Sequence, residues 1–461
     1  MQRLAIKLAL NEQIPKAPRL TGKTRKLDLV DVMARAITAI CLLNLNGVIT
    51  MMFGFGQAMS GAMLILSLAL IVWKGLRIIA GPAIFFVVTV AIYLIIGNAT
   101  YSTLNSIIPV EEVIRNYLAA LLLFWSLATY VASLNQPEKV ERFIRFFRSV
   151  SIISASSILL SPWLVGLYVN MPVQAEFRMS GFFMNPNEAG CIANLALGLL
   201  LTKPFQNRIL QVVAIGIAVV ATVLTFSKTA IAICLLILTL WALLSIRKWS
   251  VAIVWSLLLI GVLTVDVDPK GITAAVVDQD VIELDNNQVR RILAIGDILA
   301  GEIDESTSTG RTELWKITLD RAMEHFFFGQ GLGSQHRIVG GVMTKQGEWL
   351  GSHNVFLLFF GEAGIFAVLS LVATLGFALA NSIRSRSTWP AFFCLMIIVS
   401  TGMSTHGLLN LSFVCAALGL SYGLLAAKAM KCRSQLSLNG RRSARLYEKS
   451  IANAQKFRNT F

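Results

Sequence analysis

A few short stretches of this chain put together residue types that could do chemistry. Gly310-Arg311 and Trp315 lead to Gly329-Gln330-Gly331-Leu332-Gly333, and then to Ser352-His353-Asn354, where a long apolar stretch resumes. Two further cations border apolar sequence. Arg178 precedes Asn185-Pro186-Asn187, and Lys228 follows Ser227 between two apolar runs. An ionised side chain at the bilayer midplane costs about 2.5–3.5 kcal/mol on insertion scales, so such residues usually have partners. Arg178, Lys228 and Arg311 together predict an anion site, with Arg115 as a helper. For Lys228 alone, snorkelling or a structural ion pair explains the charge as well.

His353 follows Ser352, a good helix N-cap, and is expected in the first turn of a span. The positive end of the helix dipole disfavours a charged imidazole there. A neutral histidine at a membrane face can act as general base for a hydroxyl; the alternative is a structural hydrogen-bonding histidine. Gly329, Gly331 and Gly333 could let backbone N–H groups approach phosphate oxygens, although a tight return turn explains the spacing equally well. With no preceding strand it is not a dinucleotide fingerprint. His325, His336, His353 and His406 show no metal-ligand spacing. Asp266-Val267-Asp268 reads as the interfacial end of a span, and Glu362, inside an apolar run, is expected to be buried and paired in a structural role. No metal and no cofactor is expected.

The elements that must position these residues are membrane helices. Of 461 residues 56% are hydrophobic and 14% charged, with a mean hydropathy of +0.69. A soluble domain carries about 25% charged residues. Apolar stretches fall at 32–55, 58–73, 79–97, 116–134, 146–168, 187–202, 209–225, 229–246, 249–265, 352–382, 389–405 and 408–427. The run from Ile209 to Ile246 would be about 57 Å long as one helix, against a bilayer core of about 30 Å, so a turn at Lys228 is expected. The same reasoning divides 389–427 near Thr405-His406. The fold class is thus an all-α polytopic membrane protein of about 12 transmembrane helices.

Charge sets the orientation. With both termini inside, the inner segments hold 29 of the 40 Lys+Arg residues, as the positive-inside rule expects. The chain then divides into a basic cytoplasmic N-terminus (1–31), spans 1–9 (32–265), an outer loop (266–351), spans 10–12 (352–427) and a basic cytoplasmic tail (428–461). The loop holds 14 Asp+Glu against 8 Lys+Arg. Asp278 to Ile295 and Glu313 to Phe327 are predicted helices, the second with Leu314, Ile317, Leu319, Ala322 and Met323 as an apolar face that caps the membrane domain. No cleavable signal peptide is visible, so the first span is expected to be retained. Cys41, Cys191, Cys234, Cys394, Cys415 and Cys432 suggest buried packing rather than disulfides. The net charge of +15 sits on inner loops and tail, which points to anionic membrane lipid and not to nucleic acid.

In order and placement these motifs resemble the O-antigen ligase and polymerase superfamily of bacterial surface-polysaccharide enzymes. The resemblance rests on Arg178, Gly181, Asn185-Pro186-Asn187, Ser227, Gly310-Arg311, Trp315, Gly329-x-Gly331-x-Gly333, His353-Asn354 and Glu362-Ala363-Gly364. Lys228 stands where the family usually has arginine, which keeps the charge but loses the bidentate fork. Phe326 stands where proline is usual. The resemblance implies a GT-C-like membrane fold with a large helical periplasmic loop between spans 9 and 10. It also implies an inverting, metal-independent transfer of glycan from an undecaprenyl diphosphate carrier at the bacterial inner membrane. Arg178, Lys228 and Arg311 would bind the diphosphate, with Arg115, Asn187, Gly331, Gly333 and Asn354 in support, and His353 would be the base. The acceptor would be another glycan, for an O-antigen or exopolysaccharide polymerase, or lipid A–core or protein, for a ligase. Polysaccharide export or chain-length proteins are the expected partners. Polymerase is favoured because nothing in the motifs specifies a lipid A or protein acceptor. A membrane anion transporter is the reading from another class. It fits less well because the cations cluster at the outer face and no internal repeat is visible. A non-catalytic scaffold of a polysaccharide assembly complex is a third.

Overall fold

The computed structural model describes residues 28–53, 57–74, 82–102, 109–134, 136–168, 179–183, 185–245, 289, 311–336, 353–405 and 407–431. Among them every regular element is helical. The N-terminal half holds α1 (Leu29–Leu42), α2 (Leu45–Phe53), α3 (Gln57–Lys74), α4 (Pro82–Ala99), α5 (Val110–Ala132) and α6 (Pro137–Leu159). Then come α7 (Pro186–Thr202), α8 (Arg208–Leu224), α9 (Lys228–Ser245), α10 (Arg311–Glu324), α11 (Val355–Ile383), α12 (Trp389–Gly402) and α13 (Ser412–Lys431). α4, α5, α11 and α13 are each long and apolar enough to cross a membrane, and α1 with α2 make a fifth such unit if the bent pair is one span.

The apolar run 32–55 is not one straight helix. Asn44 takes a left-handed φ of 47°, a conformation asparagine tolerates better than most residues, and α1 meets α2 there at 54°. The Asn44 amide holds the break by donating to the Phe182 carbonyl at 2.9 Å. The turn expected at Lys228 is present: α8 ends at Leu224, Phe226 takes φ 48°, and α9 starts at Lys228. α6 begins at Pro137, earlier than its apolar stretch, because its first turns are held by charge. Glu141 pairs with Lys203 at 2.6 Å, and the buried Arg148 donates to the Lys203 carbonyl and lies over the Phe205 ring. The segment 249–265 and the helix expected at 278–295 lie outside the described residues, apart from position 289.

α7 is the centre of the bundle. Every residue from Ala189 to Leu200 is buried, as expected of a helix that is apolar all round. It packs between α6, α8, α9 and α12. Gly419 and Gly423 of α13 form a small-xxx-small face against Leu127 and Val131 of α5, a spacing that lets two membrane helices approach closely. Large apolar side chains such as Val72, Ile95, Ile209, Val212, Leu369 and Phe377 face outward on several helices, a surface suited to lipid rather than water. The five described cysteines are buried and unpaired with one another, as the sequence suggests.

α10 forms where expected but starts at Arg311 and ends at Glu324. Its packed face is Leu314, Thr318 and Ala322, spaced i, i+4, i+8, and it lies on α11. Leu319 and Met323, expected on that face, are exposed. A strict i+4 row leaves them on the flank.

Candidate functional site

α11 is broken nine residues from its start. Gly364 has φ 77° and ψ −172°, a conformation essentially confined to glycine. At 1.5 Å per residue the break lies about 14 Å along the helix. Backbone groups freed at such depth must find partners within the protein. The glycine turn that follows α10 supplies them. Gln330 N–H donates to the Gly361 carbonyl at 2.8 Å, Gly331 N–H to the Glu362 carbonyl at 3.0 Å, and Ile365 N–H to the Phe326 carbonyl at 2.9 Å. Leu332 N–H reaches the Gly97 carbonyl near the end of α4 at 2.9 Å.

Gly329, Gly331 and Gly333 all take positive φ, of 69°, 95° and 78°. Two of their N–H groups are already committed, Gly329 to the His325 carbonyl and Gly331 to the Glu362 carbonyl. The Gly331 N–H, which the sequence offers to a phosphate, is engaged by the Glu362 carbonyl. This turn is a plug, with Gln330, Leu332, Ser334 and Gln335 all buried, and it fixes α10 against α4 and α11.

Glu362 completes the plug. It is fully buried, accepts a hydrogen bond from the Tyr93 hydroxyl, and receives the Gln335 N–H at 3.4 Å as well as that of Gly333. Tyr93 stacks on Phe359 of α11 at 4.1 Å. Glu362 is thus buried and paired, as expected, through donors from α4 and from the turn. Its partner Tyr93 is 269 positions away, so no local signal could have named it.

The other half of the site lies where α7 and α9 begin. Asn185 caps α7 by accepting from Asn187 N–H, and Pro186 occupies the first turn, where a missing N–H costs nothing. The Ser227 hydroxyl donates to Asn187 Oδ1 at 2.8 Å. This bond joins the start of α7 to the start of α9, whose first residue is the half-buried Lys228. Thr401 and Ser404, at the end of α12, line the same small pocket as Asn187 and Ser227. Gly402, between them, lies against Val355 at the start of α11. Asn187 and Ser227 thus meet the end of α12; Lys228 is the residue after Ser227, and His353 lies two residues before Val355.

Asn354, not Ser352, is the N-cap of α11. Its side-chain oxygen accepts from Phe356 and Leu357 N–H at 2.9 and 3.2 Å. His353 stands one residue before the cap with φ 46°, outside the first turn in which it was expected. The signal was available: asparagine directly before an apolar run is as good a cap as serine. Asn354→Ala is expected to lose about 1 kcal/mol of stability, read as a lower thermal midpoint in detergent, while Asn354→Asp holds the wild-type value. Equal midpoints for the alanine and aspartate variants would count against the capping role.

Arg115 is exposed near the start of α5, at this same end. Arg311 is the first residue of α10, and its side chain lies outside the described atoms. Arg178, Ser352 and His406 also lie outside the described residues.

Residues 213–372 match the family model of the O-antigen ligases. The matched stretch is 160 of the 461 residues. It takes in Lys228, Arg311, the glycine plug, His353 and the Glu362–Gly364 break; Arg115, Arg178 and Asn187 lie N-terminal to it. Among the curated proteins compared with it, none matches.

Proposed function

We propose that this chain is a membrane glycosyltransferase that moves glycan from undecaprenyl diphosphate to a hydroxyl acceptor, acting as an O-antigen or exopolysaccharide polymerase. The observation that carries the reading is the match of residues 213–372, which include Lys228 and His353, to the O-antigen ligases, with the neighbours of both, Ser227 and Val355, packed at the end of α12. A base for the acceptor and a cation for the leaving group then stand at one end of the bundle.

His353 takes the acceptor proton, and the acceptor oxygen attacks the anomeric carbon from the face opposite the diphosphate. The new C–O bond forms as the bond between the anomeric carbon and the phosphate oxygen breaks, so the configuration inverts. The leaving diphosphate gains charge, and Arg178, Lys228 and Arg311 stabilise it, with Arg115 nearby. The positive ends of α7 and α9, held together by the Asn187–Ser227 bond, favour the same anion. Apolar outer helix faces suit the polyprenyl tail. In this reading about twelve spans cross the bacterial inner membrane, both termini are cytoplasmic, and residues 266–351 form the periplasmic loop that carries Arg311.

Purified protein in proteoliposomes, given undecaprenyl-diphosphate-linked repeat units, is expected to release undecaprenyl diphosphate and lengthen the glycan. Solute flux without glycan turnover would replace this reading with transport. In a deletion strain, loss of a polymerase leaves single repeats on the core. Lipid-linked polymer that never reaches the core would make the protein a ligase, with lipid A–core as acceptor.

A further inference from the structure

Beside Glu362 lies a cavity of about 100 Å³ that none of the roles above uses. Tyr93, Tyr117 and Leu358 form its buried floor, and the exposed Glu112, Asn116 and Asn410 form its rim. Glu112 and Asn116 are spaced i, i+4 and so share one face of α5. Leu358 lies in the first turn of α11, five residues beyond His353 in sequence. The cavity therefore belongs to the end of the bundle that holds the candidate base.

The Tyr117 hydroxyl is the telling group. It is 2% exposed, and its polar neighbour is the Tyr93 hydroxyl. It faces Tyr93, whose proton is committed to Glu362. A hydroxyl donates once but can accept twice, so one on a residue that lines a cavity keeps acceptor capacity for a ligand hydroxyl. Glu112 on the rim disfavours an anion, which separates this cavity from a diphosphate site. Two amides, a carboxylate and a phenol around an aromatic floor offer both donors and acceptors to neighbouring hydroxyls. The volume suits the edge of one sugar ring or its hydroxymethyl group.

We propose that this cavity is a saccharide subsite, which seats ring hydroxyls of the glycan that reaches His353. The proposal rests on the glycosyltransferase reading. The glycan seated there is either the acceptor or the sugar of the lipid-linked donor, and kinetics separate them. Full-length Tyr117→Phe and Asn116→Ala would be assayed in proteoliposomes. The donor would be the lipid-linked repeat, and the acceptor an oligosaccharide of the strain's own repeat unit. Each variant is expected to raise KM for one substrate about five- to tenfold, with kcat and thermal midpoint near wild type. A raised acceptor KM places the acceptor in the cavity, and a raised donor KM places the donor. Unchanged KM for both substrates in both variants overturns the proposal, as does a lowered midpoint with unchanged KM. If the wild-type protein releases no undecaprenyl diphosphate, the glycosyltransferase reading fails by itself. Saturation-transfer NMR with the same oligosaccharide then decides the subsite. Binding weakened about fivefold by Tyr117→Phe upholds it, and binding that is absent or unchanged overturns it.

Discussion

Replacing His353 is expected to lower the rate of glycan transfer by about a hundredfold or more, with little change in the amount of folded protein. General base catalysis contributes about 10²–10⁴ in rate, and the proposed mechanism gives the acceptor proton to His353 alone. The choice of substitution matters because His353 has φ 46°. Alanine there adds backbone strain to the loss of the imidazole. Asparagine visits the left-handed region readily and removes only the base. His353→Asn should therefore hold the wild-type thermal midpoint and lose activity as fully as His353→Ala. The measurement is undecaprenyl diphosphate release by each purified variant against its melting curve. Near-wild-type release by His353→Asn would rule out the base assignment. A lost midpoint in both variants, with activity proportional to the folded fraction, would reduce His353 to a structural residue.

Helix positions were largely legible because apolar runs and polar breaks are local. The turn at Lys228 followed from length alone, and α9 begins at that residue. The break at Asn44 was not legible as a bend, since one asparagine in an apolar run need not break a helix. What fixes it is a carbonyl at Phe182, far along the chain. The site divides in the same way. His353 and Lys228 stand out by residue type and border position and Asn187 by the resemblance, whereas the Ser227–Asn187 bond and the pocket at the end of α12 are long-range contacts that no local pattern names. The glycine motif is legible as a tight turn, and its partner is not. Its spacing says that the backbone takes positive φ and approaches something closely; it cannot say what is approached. The answer depends on Gly364, whose break frees the carbonyls that the glycine turn satisfies. Two motifs that look separate in sequence are the two halves of one joint.

That joint makes Gly364 the position where one methyl group should do most damage to the fold. A Cβ there would run into the Phe327 carbonyl and the Phe328 nitrogen, and the backbone conformation itself costs about 1–3 kcal/mol for a residue other than glycine. The helix can escape by straightening, so that Ile365 N–H returns to the Gly361 carbonyl. The plug then loses its partners: Gln330 N–H, Gly331 N–H and the Phe326 carbonyl are left to be satisfied elsewhere, at about 1–3 kcal/mol for each that stays buried. Either route removes several kcal/mol from a fold whose total stability is of order 5–15 kcal/mol. Gly364→Ala is expected to release α10 from α11, and tryptic cleavage at Lys316 and Arg321 should become much faster than in the wild-type protein. Under the proposed mechanism transfer falls with it, because Arg311 begins the released helix. Gly376→Ala is the control: it lies in the same helix, where an added Cβ meets nothing within 4 Å, and should leave cleavage and melting unchanged. If Gly364→Ala matches Gly376→Ala in both measurements, the plug does not hold the cap in place.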